Sequence, residues 1–200
     1  LFIRVTLVVL SLVLWMSIKE KLLYHPFSHM IKFYSLLEQP DEITCGPTSA
    51  TMVLKYYGID ANIDEVKKLT RTTWYTHKQK DYGMTAPVMI SIALNHYGLN
   101  SVMKTGSVKR IKSVVSQNTP CIVLVRSGEY TMHYVVVVGY DNNMIFYANP
   151  TDASITGISE SEFMDAWSWN SDLYGRKCSS MLSFWLNALE IYPCTYISTL

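Results

Sequence analysis

The sequence predicts an α+β fold in which an N-terminal apolar helix precedes a run of helices and then an antiparallel β-sheet. Three observations predict it. An uncharged stretch runs from Val5 to Ile18. Four segments between residues 45 and 118 carry helical spacing with helix-starting and helix-ending residues. Three β-branched runs then follow residue 120, separated by turn formers.

Two hundred residues make one domain with room for a proper core. Apolar residues form 49% of the chain and charged residues 16%, so it is greasier than an average soluble domain. The net charge is +1, from 17 basic and 16 acidic side chains, and no basic patch stands out. That balance argues against nucleic acid as a partner.

The first element, Leu1 to Ile18, has Arg4 as its only charge and is bounded by Lys19, Glu20 and Lys21. Its uncharged run is shorter than the roughly 20 residues of a spanning helix. The following "WMSIKEK" lacks the small-residue pattern of a signal cleavage site. With Arg4 snorkelling to the interface, residues 1–18 read as a membrane anchor or an export signal. Arg4 stands on one flank, and Lys19, Lys21 and Lys32 on the other, so both orientations stay open. The expected location is membrane-anchored, or exported after cleavage.

Residues 19–38 form an amphipathic connector broken by Pro26, and the domain proper is expected over 39–200. "CGPTSATMVLKYYG" predicts a helix from Cys45, with Pro47 in its first turn and Gly58 as its stop. "NIDEVKKLT" predicts a short helix capped by Asn62 or Asp64. "TAPVMISIALNHYG" predicts another, with Thr85 capping, Pro87 in the first turn and Gly98 closing. "SVKRIKSVVSQN" is the fourth, ended by Pro120. Then "CIVLVRS", "HYVVVVGYD" and "MIFYANP" predict strands. Ser159 and Glu162 form a capping box for a last helix through Trp167. "MLSFWLNALEIY" fits strand and helix alike.

Cys45, Cys121, Cys178 and Cys194 are too few for a disulfide scaffold. Cys121, in "PCIVLV", reads as a core thiol, while Cys178 and Cys194 are able to pair only in an oxidising compartment. Cys45 differs from all three. At a helix start, free N–H groups favour a thiolate and are expected to lower its pKa. Of the possible bases, His25 and His29 belong to the connector, His77 to a polar loop and His96 to a helix end. His133 opens the most β-rich run, and Asn149 ends the next strand, so a short turn brings the two together. Asn149 is then placed to accept from the imidazole and fix its tautomer, with Asp152 in reserve. Gln39, six residues before Cys45, offers an amide N–H for an oxyanion beside the Cys45 backbone N–H. Histidines and cysteines lack metal-ligand spacing; no metal and no cofactor is expected.

These residues resemble a family. "Q-x5-CGPTS", then "HYVVVVGYD" and "NP", look like the papain-like cysteine peptidases that process bacteriocin leader peptides at double-glycine sites. The resemblance extends through "GMTAPVMISIALNHYGL" and "ISESEFMDAW", roughly Gln39 to Trp167. It implies a papain-like fold, with the nucleophile-bearing helix packed on an antiparallel sheet, and a site of Cys45, His133, Asn149 and Gln39. Leader-processing members usually have Asp where this chain has Asn149; papain uses an asparagine. Those members are fused to a transporter, whereas this chain has one apolar segment and no Walker A pattern. It therefore looks like a stand-alone relative, with a transporter as a possible separate partner.

The function expected is a cysteine peptidase acting on a peptide or protein through a thioester. The same site supports an acyltransferase or transpeptidase, as in phytochelatin synthase. A papain-like module that only binds peptides is a third reading, because fold does not fix function. The loop from Arg71 to Tyr82, with Trp74 and Tyr75, is a candidate groove wall.

Overall fold

The computed structural model describes residues 28–77, 79–128, 131–168 and 195–199. The apolar segment 1–18, His25, the Cys178–Cys194 pair and the ambiguous "MLSFWLNALEIY" lie outside them. Among the described residues, no helix is long and apolar enough to cross a membrane.

Five helices and nine strands are described: β1 (His29–Met30), α1 (Cys45–Tyr56), α2 (Ile63–Leu69), β2 (Thr73–His77), β3 (Lys80–Met84), α3 (Pro87–His96), β4 (Ser101–Thr105), α4 (Val108–Val115), β5 (Cys121–Arg126), β6 (Met132–Tyr140), β7 (Met144–Asn149), β8 (Ser154–Ser159), α5 (Glu160–Ser168) and β9 (Thr195–Thr199). The main sheet runs β4-β9-β5-β6-β7-β8, with β1 paired to the far end of β6 through His29–Tyr140 and Met30–Gly139. Every pair is antiparallel. The α+β plan expected from the sequence is the observed one.

Local chemistry explains the elements. Side-chain caps start two helices: Asn62 accepts from the Asp64 N–H, and Ser107 from the Arg110 N–H. The capping box opens α5, with Glu162 Oε2 accepting from the Ser159 N–H at 3.0 Å and Ser159 Oγ from the Glu162 N–H at 3.2 Å. Gly58 and Gly98 take positive φ just past α1 and α3, where a side chain would be strained. Thr85 does not cap α3. Ala86 holds that position, and the Thr85 hydroxyl pairs with Thr72 instead.

The core lies on both sides of β5 and β6, whose consecutive residues are buried. Neighbouring strand residues point to opposite faces, so both faces are covered; the helices packed on these strands are α1, α4 and α5. Helix α1 is buried continuously from Gly46 to Leu54 and is therefore a central rather than a surface helix. Residues 28–38, expected as the end of the connector, reach into this core through Ile31 and Phe33.

Two regions differ from expectation. The presumed loop 71–82 is largely a two-stranded hairpin, β2 with β3, in which Trp74 faces Gly83. Strands β4, β8 and β9 have no run of β-branched residues to announce them. They form because β9 supplies the pairing partner for β4, and β7 the partner for β8.

Candidate active site

Cys45 is the first residue of α1, and its residue is half-buried. The turn before it is held by its own side chains. Asp41 Oδ1 accepts from the Ile43 N–H at 3.0 Å, and the Thr44 hydroxyl donates to the Asp41 carbonyl at 3.1 Å. Asp41 Oδ2 reaches Lys67 of α2 at 2.7 Å. Two glycines let neighbours come close. A Cβ on Gly46 would lie 3.1 Å from the Thr85 side chain, and one on Gly83 would lie 2.5 Å from Ile43 Cβ. The hairpin is thereby seated directly on the turn that leads into the helix.

His133 lies near the start of β6. The β6–β7 register pairs Val136 with Ala148, so Asn149 falls opposite Val135, on the face His133 shares. The side chains meet: His133 Nε2 lies 2.9 Å from Asn149 Oδ1. The Thr151 backbone N–H also points at that oxygen, at 3.1 Å. An N–H needs an acceptor, so this atom is the amide oxygen and not the nitrogen. An amide oxygen donates nothing, so the proton of the shared bond belongs to Nε2. In the neutral ring, Nδ1 is then the basic nitrogen.

Gln39 approaches from the other side. Its backbone N–H donates to the Pro150 carbonyl at 2.7 Å, and its side-chain Nε2 to the Asp41 carbonyl at 2.8 Å. An amide nitrogen carries two N–H groups, so one remains for a further acceptor. Gln39 Oε1 is buried without a partner among the described residues.

Burial governs the charges. It pushes the Cys45 thiol above its ordinary value, and the nearby Asp41 carboxylate adds to the rise. Hydrogen bonds from the backbone of Tyr134, Gly46 and Cys45 itself oppose it without prevailing. The lowered thiol expected at a helix start is therefore corrected, because desolvation outweighs the helix end. Burial also lowers His133, against the Asn149 hydrogen bond and the Asp152 charge, which raise it. Both shifts favour the neutral form. At Asp41 burial pushes the pKa up, but the Lys67 and Thr44 hydrogen bonds win and hold it below the usual carboxylate value.

Of the residues expected at the site, His133 and Asn149 are in direct contact, Gln39 is tied to the turn after Asn149, and the Cys45 thiol lies against the backbone of Tyr134, next to His133. Asp152 does not bond to the imidazole; its Oδ1 takes the Ser154 hydroxyl at 2.7 Å and acts on His133 through charge alone. His29 is bound to Asn118 Oδ1 and His96 stands edge-on to Tyr97. His77 falls within β2 rather than a loop. Among the described residues, no group of metal-ligating side chains occurs. Asp41, Tyr134 and Thr151 were not legible as site neighbours; only their closeness in sequence to Cys45, His133 and Asn149 hinted at them.

The model described as "Peptidase_C39 like family" matches residues 31–174. The lactococcin-A transport/processing ATP-binding protein LcnC of Lactococcus lactis subsp. lactis is 24% identical over 156 residues, covering 73% of this chain and 21% of its own. The pediocin PA-1 transport/processing ATP-binding protein PedD of Pediococcus acidilactici is 28% identical over 137 residues, covering 68% and 17%. The chain thus spans about a fifth of the length of these curated relatives. Among solved structures, a C39-like peptidase from Bacillus anthracis superposes with a TM-score of 0.62 at 17% identity, covering 86% of this chain and 96% of that one. The peptidase domain of Streptococcus ComA gives 0.56 at 22% identity, covering 83% and 98%. At these identities the likeness is one of fold.

Proposed function

This chain belongs to the Peptidase_C39 like family, and we propose that it is a cysteine peptidase with Cys45 as nucleophile, His133 as base, Asn149 as its orienter and Gln39 as oxyanion donor. The observation that supports this reading most is the His133 Nε2–Asn149 Oδ1 bond at 2.9 Å, because it leaves Nδ1 as the basic nitrogen.

The proposed cycle starts from the neutral thiol and imidazole. Nδ1 takes the thiol proton as Sγ adds to the substrate carbonyl, so ionisation and attack are coupled. The oxyanion receives the second Gln39 Nε2–H and the Cys45 backbone N–H. Nδ1–H then protonates the leaving amine, the C–N bond breaks and a thioester remains. Water, deprotonated by the same nitrogen, adds to the thioester; the C–S bond breaks, the acid leaves, and Nδ1–H returns the proton to Sγ.

The substrate proposed is a peptide, and double-glycine junctions are the first class to test. One relative of the same fold is a double-glycine-motif protease from a transporter, solved with its leader peptide. We further propose that residues 1–18 hold the peptidase at a membrane; fractionation of chains with and without that segment tests this. For the chemistry, wild-type protein and Cys45→Ala are incubated with such peptides. The wild type is expected to cleave, with a thioester on the Cys45 peptide seen by mass spectrometry after acid quench. Cleavage retained by Cys45→Ala would reject the assignment. Product transfer to an added amine rather than water would identify an acyltransferase, and binding without turnover a peptide-binding module.

A further inference from the structure

We propose that Thr151 is a positioning residue of this site, holding the His133 imidazole through its hydroxyl and locking the Asn149 amide through its backbone. The inference rests on the proposed roles of His133 and Asn149. Thr151 makes two bonds to that pair: its N–H donates to Asn149 Oδ1 at 3.1 Å, and its Oγ1 lies 3.3 Å from His133 Nε2.

The geometry fixes the direction of each. Nε2 carries its proton because Asn149 Oδ1 is an acceptor for two donors. The Thr151 hydroxyl therefore accepts from the same Nε2–H, as the second arm of a shared bond. The imidazole thus has two acceptors on one nitrogen, the stronger at 2.9 Å and the weaker at 3.3 Å. A ring held at two points swings less about its Cβ–Cγ bond than one held at a single point.

The turn that carries Thr151 is fixed in its own right. Pro150 before it accepts from the Gln39 N–H, Asp152 after it is bound to Ser154, and Ala153 sits at φ +53°. The hydroxyl is therefore delivered by a pinned backbone, next to Asp152, whose charge acts on the ring. Cys45, and Asp41 which acts on it by charge, are other titratable groups described at the site.

Double substitution separates this role from a structural one. Thr151→Val keeps the shape and the backbone N–H but removes the acceptor. Alone, with Asn149 still in place, it is expected to lower kcat roughly fivefold with KM unchanged, the value of one neutral hydrogen bond. In an Asn149→Ala background the hydroxyl is the one remaining acceptor, so the same change is expected to cost about tenfold or more. Thr151→Ser keeps the rate of the parent in each background, the wild-type rate in one and the Asn149→Ala rate in the other. Titration of the His133 ring protons by NMR gives a readout independent of turnover. The His133 pKa falls with Thr151→Val, because the lost acceptor had favoured the imidazolium, and falls further in the double variant. Equal kcat losses in both backgrounds, with an unmoved His133 titration, would overturn the proposal. If the wild type cleaves no peptide, the peptidase reading fails while the titration still decides the role of Thr151.

Discussion

The backbone N–H of Gln39 donates to the carbonyl of Pro150 at 2.7 Å. These residues belong to the two halves of the candidate site: one precedes the nucleophile helix, the other follows the strand that carries Asn149. The bond joins the proposed oxyanion donor to the turn after Asn149 without passing through the cysteine. The two halves are thus referenced to one another by a backbone bond, and the Ser49 hydroxyl of α1 adds a second tie to the Tyr134 carbonyl of β6 at 3.3 Å.

Gln39→Ala keeps that backbone bond and removes only the amide. Its expected effect is a loss in kcat of about 10²–10³-fold with KM little changed, as for a lost oxyanion donor. Steady-state kinetics with unchanged circular dichroism checks it; a KM effect alone would place Gln39 in substrate binding.

With His133 as the proposed base, the acid limb of peptidase activity is expected to report its titration. The base must be neutral, so the rate falls as pH drops through the His133 pKa. Burial sets that pKa below the ordinary 6.5, and the limb is expected there. Asp152 raises it by charge, so Asp152→Asn moves the limb to still lower pH with the plateau nearly intact. Asn149→Asp brings a charge into contact and moves it up. The three pH–rate profiles of kcat/KM test the order.

Alkylation of Cys45 in the free protein is expected to accelerate only at alkaline pH, with a midpoint above the ordinary thiol value of 9.0. Asp41→Asn removes a negative charge that disfavours the thiolate and lowers the midpoint. Peptide mapping after iodoacetamide reads it. Cys121, fully buried and pushed far up by desolvation, stays unlabelled in the folded state.

Gly83→Ala forces a Cβ to within 2.5 Å of Ile43 Cβ and 2.8 Å of its Cα. Shortening the Ile43 side chain cannot relieve a contact with its backbone, so the hairpin or the turn must move. A destabilisation of about 1–3 kcal/mol is expected, seen as a lower Tm, with a fall in kcat because the displaced turn leads into Cys45.

How much of this was legible follows from the residues. Helix α1 was readable because Pro47 and Gly58 punctuate it, and β5, β6 and β7 because their valines and isoleucines declare strands. Cys45, Gln39, His133 and Asn149 were readable as chemistry at particular spacings. The hairpin of Thr73–His77 with Lys80–Met84 was not, since its polar residues look like loop and its pairing depends on docking at Ile43. Thr151 was silent for a different reason: a threonine in a turn has a bland role in most proteins, and only the approach of β6 gives it a partner. The raised pKa of the Cys45 thiol is not legible because a helix start is visible in sequence, while the desolvation that overrides it is a property of the packed fold.

Strand β9 lies between β4 and β5, although nearly seventy residues separate it from β5 and about ninety from β4. On a ribosome, the strands carrying His133 and Asn149 emerge long before the strand that must slot between β4 and β5. Until it arrives β5 presents an open edge, which is an invitation to pair with another chain, and β4 has no partner among the described strands. Closure of the sheet is a late, long-range step, slow in the way high-contact-order pairings are. A nascent chain would therefore carry a complete set of site residues on an unfinished scaffold, and its competence would be timed by the arrival of five residues near position 197.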